Sequence, residues 1–270
     1  MKTRLRILAT LAAVMSCVSL LAQPIPLTET SESDVQGRFR AALEIPLGKK
    51  WELNWSEQLR LHNNFGEIDK VVSTVGVGYK PWQFLQFGAD YSFVNERNKK
   101  TDNATGVKSA EWGIRHRVNI DITGSVRLGR VKLSLRERLR VQFRGDSVNK
   151  YEHPNPALSL RTRLKGSVKL NNVHWEPYAF VEWYHTLNSP APVKNFKSDP
   201  LTYDNYSPRM RIAVGTEYKI NMRHRMDFYY MVHFNRSYNA RYKAKSGDIK
   251  EWSLEKVCAH VIGIDYKFKL

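Results

Sequence analysis

Cysteine is nearly missing from this chain: two residues in 270, Cys17 and Cys258. A disulfide framework is excluded once an N-terminal signal has been removed, and no Cys/His spacing suits a metal. Cys258 alone reads as a small apolar strand residue rather than a reactive thiol. Long apolar runs are also missing after residue 22, so no later segment can cross a bilayer as a helix. Acidic residues are scarce relative to basic ones, 26 against 43, for a formal charge of +17. There is no nucleophile elbow, no phosphate loop and no zinc motif. We therefore expect no catalytic residues, no cofactor and no metal.

The first residues read as a secretory signal over 1–22. Lys2, Arg4 and Arg6 form a basic start, Ile7 to Leu21 is apolar, and Ala22 is a small residue at the cleavage point. About fifteen apolar residues are short for an anchor helix. Val14-Met15-Ser16-Cys17 is a weak lipobox, and the apolar run continues past it. Loss of the three basic residues would leave +14. Such charge commonly marks nucleic-acid binding. Export argues against that partner, and the basic residues recur at alternate positions instead of clustering in a tail or helix.

That alternation is what the chain does have. In 131–144, Val131, Leu133, Leu135, Leu139, Val141 and Phe143 share one face, and Lys132, Arg136, Arg138, Arg140 and Arg144 share the other. Successive strand side chains point to opposite faces, so the sheet has one apolar and one basic side. About eleven segments behave this way. Ten strand residues, tilted about 45°, cover roughly 23 Å, the height of a membrane barrel's apolar band. An exported chain without an apolar helix can enter a bilayer only as a closed barrel. The expected fold is an all-β, antiparallel up-and-down transmembrane barrel over 35–270, behind a polar leader at 23–34. Single-chain bacterial barrels have even strand numbers, so twelve strands are expected, with ten the next choice. The leader would then supply a strand or thread the lumen.

Connections alternate between short and long. The short ones fall near Gly48, Pro81, Gly124, Asn171 and Asn221, as at the periplasmic end of such barrels. Aromatic residues predict girdles at the two interfaces. Trp51, Tyr79, Trp82, Trp175, Tyr218 and Tyr266 fall on the short-turn side; Tyr91, Trp112 and Trp183 fall on the long-loop side. Glu57 interrupts the apolar face of 51–61, which predicts a bulge or a protected spot.

About twenty basic residues occupy the inner face, among them Arg60, Arg115, Arg117, Arg136, Arg138, Arg140, Arg144, Arg161, Arg163, Lys165, Arg209 and Arg211. Their acidic counterparts include Glu44, Glu52, Asp90, Glu111, Asp121, Glu182, Glu217 and Asp227. Two interiors satisfy this pattern. In the first, Arg–carboxylate pairs simply fill a narrow lumen. In the second, surplus positive charge favours small anionic solutes. The first is preferred for so narrow a barrel. His233 falls mid-strand on the inner face, and Asp227, six residues away, is too distant to form a dyad with it. His62 or His153 could meet a loop serine, as in a lipid A- or phospholipid-modifying enzyme, but no spacing singles them out. A soluble periplasmic β-sandwich that binds an acidic ligand is the other alternative.

Trp51-Glu52-Leu53, Arg136-Glu137-Arg138-Leu139-Arg140, Arg161-Thr162-Arg163-Leu164 and Val261-Ile262-Gly263-Ile264-Asp265-Tyr266-Lys267-Phe268 together resemble the bacterial domain-of-unknown-function family 2490 (DUF2490). The resemblance covers most of the mature chain. It implies an outer-membrane barrel, often of Bacteroidetes-type bacteria, with outer-membrane lipids and the barrel-assembly machinery as partners. It implies no catalytic residue. One departure is the final residue: such barrels commonly end on an aromatic, and this chain ends on Leu270, although Phe268 keeps the alternation.

Overall fold

The computed structural model describes residues 28–101, 108–145, 155–171, 173–188, 209–242 and 249–270. The signal at 1–22, the start of the leader, His153 and most of the long connections lie outside them. Eleven strands form: β1 Thr28–Leu47, β2 Trp51–His62, β3 Glu67–Trp82, β4 Leu85–Thr101, β5 Lys108–Leu128, β6 Val131–Arg144, β7 Ala157–Val168, β8 Trp175–Thr186, β9 Arg209–Lys219, β10 His224–Tyr242 and β11 Ile249–Lys269. Each pairs with its sequence neighbours, and β1 pairs with β11 to close a barrel. Closure sets aside the β-sandwich.

The count is eleven, where twelve was expected. An odd number closes only if one seam is parallel, and the β1–β11 seam is parallel from Thr28↔Ser253 to Glu44↔Lys269. The leader expected to run to Asp34 gives way to strand at Thr28, and Thr28–Gln36 pairs with β11 beyond the end of the β2 ladder. Strands on the long-loop side outrun the apolar alternation. β4 and β5 stay paired to Thr101↔Lys108, because backbone ladder bonds continue where the side chains turn polar.

Turns at the other end are tight. Gly48 (φ 73°) and Gly129 (φ 61°) take the left-handed conformation that a side chain disfavours. The β5–β6 turn is therefore at Gly129, and Gly124 belongs to β5. On the long-loop side, residues 63–66 form a compact turn. Asn63, Asn64 and Phe65 all have positive φ, and the Gly66 N–H donates to the Asn63 carbonyl at 2.9 Å. Asp34 on β1 accepts from the Asn64 N–H at 3.2 Å, tying this turn to the seam.

The two faces are inverted relative to a soluble protein. Val75 is 58% exposed and Ile120 55% exposed on the outside, whereas Glu182 is 0% and Arg211 6% exposed inside. The buried apolar residues Tyr178, Phe180, Ala213, Met231 and Val261 form one patch on the inner wall of β8–β11. Outward polar groups find partners within the sheet. Glu57 accepts from Trp55 Nε1 at 3.0 Å and Ser73 Oγ at 2.7 Å, which makes it a protected spot. The β2–β3 register shift lies a few residues away, between Arg60 and Leu61. Tyr91 and Tyr230 hydroxyls meet His116 and His260 Nδ1, each at 2.6 Å.

Candidate functional site: the basic lumen

All eleven strands contribute to one interior cavity of about 580 Å³. Fourteen basic and six acidic side chains line it. Of the basic ladder read from sequence, Arg117, Arg136, Arg138, Arg140, Arg161, Arg163, Lys165, Arg209 and Arg211 reach the cavity, as does Arg60. Arg115 and Arg144 share the inner parity but stand above it, where Arg115 meets Glu96 at 3.3 Å. Glu44, Glu52, Asp90, Asp121 and Asp227 also line the cavity. Glu217 sits below, 3.5 Å from Lys267. Glu111 lies on β5 where the strand extends past the rim, and it is exposed.

Glu182 has a distinct position. It is fully buried, with Arg161 Nη2 at 2.7 Å, Arg163 Nη2 at 2.6 Å, Arg211 Nη1 at 3.1 Å and Arg136 Nη2 at 3.5 Å. Four guanidiniums converge on one carboxylate because Arg163 and Arg211 are its cross-strand partners on either side. Inner aromatics on β8 share the load. Lys165 Nζ lies 3.7 Å from the Tyr178 ring centre, and the Arg163 guanidinium lies 4.4 Å from that of Phe180. Tyr184 is touched by Arg161, Arg209 and Arg211 at 4.6, 5.2 and 4.7 Å, and its hydroxyl accepts from Arg211. Each contact is a cation–π attraction in a desolvated setting.

Register also places arginines directly opposite one another. Arg136 faces Arg163, Arg138 faces Arg161, and Arg38 faces Arg60. Like charges in that position repel. On β6 and β7 carboxylates intervene: Glu182 as above, and Asp121 and Asp90, which hold Arg138 Nη2 at 2.5 and 3.2 Å. On β1 and β2 no carboxylate is bonded to either arginine, and Asp69 and Asp265 reach them only at longer range. Arg60 Nε donates to Gln58 Oε1 at 2.8 Å, and Arg38 Nε is buried without a partner.

Sequence reasoning does not single out Arg38, Arg40, Lys70, Lys267 or Asp265, although inner parity would include them. It leaves the facing of Tyr178, Phe180 and Tyr184 open, since both faces of β8 are apolar. His233 and Asp227 are both inward on β10, and Asp227 accepts from the Tyr178 hydroxyl at 2.7 Å. His62 lies 3.5 Å from Glu67 at the rim. The nine girdle aromatics all project outward. Trp51 packs at a tilt on Tyr79 (centroids 4.4 Å apart) and Trp175 on Tyr218 (4.5 Å) at the short-turn end, and Tyr266 packs on His224. Trp82 is exposed at the same end and Trp112 at the other. Tyr91 and Trp183 differ from expectation: they lie within β4 and β8, not at their ends. Among the described residues no His/Cys/Asp/Glu group could hold a metal.

A family model described as "Protein of unknown function (DUF2490)" matches residues 36–243, more than half of the chain. No curated protein matches. Solved structures similar to this chain include outer-membrane expressed OmpT of Vibrio cholerae (TM-score 0.36, 11% identity, 74% of this chain and 58% of that one). The NanC porin (TM-score 0.44, 13% identity) is covered over 99% of its length by 88% of this chain. The β domain of the Bordetella autotransporter BrkA scores 0.42 at 10% identity, over 83% of this chain and 86% of that one. The chain spans less than two thirds of the length of the Vibrio barrels it matches.

Proposed function

The chain belongs to the family described as "Protein of unknown function (DUF2490)", and from that premise we propose that it is a passive outer-membrane barrel whose basic interior admits small anions. The observation that carries this reading is the imbalance of the lumen: fourteen basic against six acidic side chains around a cavity of about 580 Å³, an excess that remains when Glu182, Glu96 and Glu217, paired with lining cations from outside the cavity, are added. Carboxylate pairing accounts for part of that charge, and the remainder sets a positive potential in a low-dielectric channel, which concentrates anions. The outward apolar surface supports a lipid setting. An arginine on that face would cost about 2–4 kcal/mol at the bilayer midplane, and the arginines at this height point inward instead. Tyr266 and Phe268, on one face of β11, are aromatic groups available to the barrel-assembly machinery.

Planar-bilayer recording in a potassium chloride gradient tests the proposal. Single-channel steps with a reversal potential of the sign set by chloride support it. Silent bilayers, or cation selectivity, overturn it.

A further inference from the structure

The inner wall carries a cluster of cations that the Glu182 network does not neutralise. Arg38 and Arg60 are direct cross-strand partners on β1 and β2. Arg209 and Arg211 on β9 line the same cavity as Arg38 and Arg60. His233 on β10 is the direct cross-strand partner of Arg211. β10 and β11 lie between β9 and β1, and Met231 and Val261 are buried on them. Gly263 is adjacent to Arg38 in the parallel seam, and a Cβ there would meet the Tyr229 ring at 2.0 Å. The absence of a side chain at Gly263 thus seats Tyr229 flat beside the cluster.

The polar groups of this cluster are under-satisfied. Arg38 is 7% exposed with its Nε buried and unpartnered, and Asp265, engaged by Arg40 at 3.8 Å, reaches it only at longer range. Arg211 Nε and His233 Nε2 are also buried without partners. Arg209 and Arg60 bond only neutral amides, Asn235 at 3.1 Å and Gln58 at 2.8 Å. Asp69, which reaches Arg60, is engaged by Lys70 at 3.3 Å. The carboxylate in contact with Arg211 is Glu182, already shared with three other arginines. A buried charge without a counter-charge is costly. The β6–β7 arginine pairs, with the same cross-strand geometry, have carboxylates between them; the Arg38–Arg60 pair does not.

We infer that Arg38, Arg60, Arg209 and Arg211, with His233, form a binding site for a compact oxyanion of the phosphate class. Four guanidiniums with one bonded carboxylate, the shared Glu182, and with Asp69 and Asp265 only at longer range keep a positive excess that suits an anion of charge −2, and a tetrahedral oxyanion offers several acceptors to their N–H forks. Chloride offers neither. The inference rests on the basic lumen of the proposed function and adds a class of solute that is held there.

The test is isothermal titration of the full chain, folded in detergent micelles, with inorganic phosphate and with glucose 6-phosphate, against chloride at matched ionic strength. Saturable binding of inorganic phosphate is expected, weakened about tenfold or more in Arg38→Gln/Arg60→Gln, as for loss of a charge-assisted contact. Arg38→Lys keeps the charge but loses the fork, and serves if the double variant does not fold; it too should weaken binding. Binding of both probes assigns recognition to the phosphoryl group, and binding of inorganic phosphate alone assigns it to the free anion. No saturable binding of either, or binding equal in the variants, overturns the site. Anion-selective currents without phosphate binding would remove the site and keep the passage. Phosphate binding in a silent barrel would do the reverse.

Discussion

Replacing Glu182 with alanine removes the carboxylate on which Arg136, Arg161, Arg163 and Arg211 converge. The four arginines would not suffer equally. The side chains of Arg136 and Arg163 are 23% and 26% exposed to the cavity and can turn toward water. Those of Arg161 and Arg211 are 8% exposed and cannot. Two guanidiniums are thus left buried with their charge uncompensated, and breaking one such buried pair costs about 3–5 kcal/mol. We expect Glu182→Ala to lower unfolding stability by about that amount, roughly a hundredfold or more in the folding equilibrium. Glu182→Gln keeps an acceptor and should fall between the two. The assay is urea unfolding in micelles, followed by the shift in gel mobility between folded and denatured barrel. A double-mutant cycle with Arg161→Ala should show positive coupling. A loss below about 1 kcal/mol in Glu182→Ala would refute the claim that this carboxylate organises the interior, because that is the level of a solvent-screened pair.

Other consequences can be checked in the same way. Ile120→Arg places a charge on the outer face at mid-strand and should cost about 2–4 kcal/mol in lipid vesicles; a change within about 0.5 kcal/mol would indicate an ordinary wet surface. Ser73→Ala removes a donor to the outward Glu57 carboxylate and should destabilise the barrel by about 1–3 kcal/mol, measured by the same unfolding assay. Gly263→Ala should displace Tyr229 and cost about 1–3 kcal/mol by overpacking; the penalty should disappear in a Tyr229→Ala background. Arg138→Gln leaves Asp90 and Asp121 without their shared cation and should reduce anion selectivity, read as a smaller reversal potential.

Much of the architecture is legible in the chain because a period of two is hard to produce otherwise over so many segments. Val131 to Arg144 alone shows which face avoids water and which carries charge. Register is where that reading stops. The opposition of Arg38 and Arg60, or of Arg136 and Arg163, depends on where two strands align, and alternation within each strand is indifferent to a two-residue slip. For the same reason Glu182 reads as one acid among eight until Arg163 and Arg211 are set beside it. The parallel seam is hidden too: the even-number expectation assumes antiparallel closure, and the polar stretch Thr28–Asp34 carries no apolar face to mark it as strand. Tyr91 illustrates a further limit. Its position in the chain suggests an interface, but its hydroxyl is satisfied mid-strand by His116, so it does not need the interface.

A membrane barrel requires that acyl chains cover its outer face. Folding the full chain into vesicles whose lipids carry bromine at mid-chain tests it directly, because Trp55 is 50% exposed on that face. Quenching of tryptophan emission by the brominated lipids, resistant to a carbonate wash, is the predicted result. Unquenched emission, with the folded monomer recovered in detergent-free buffer, would contradict it.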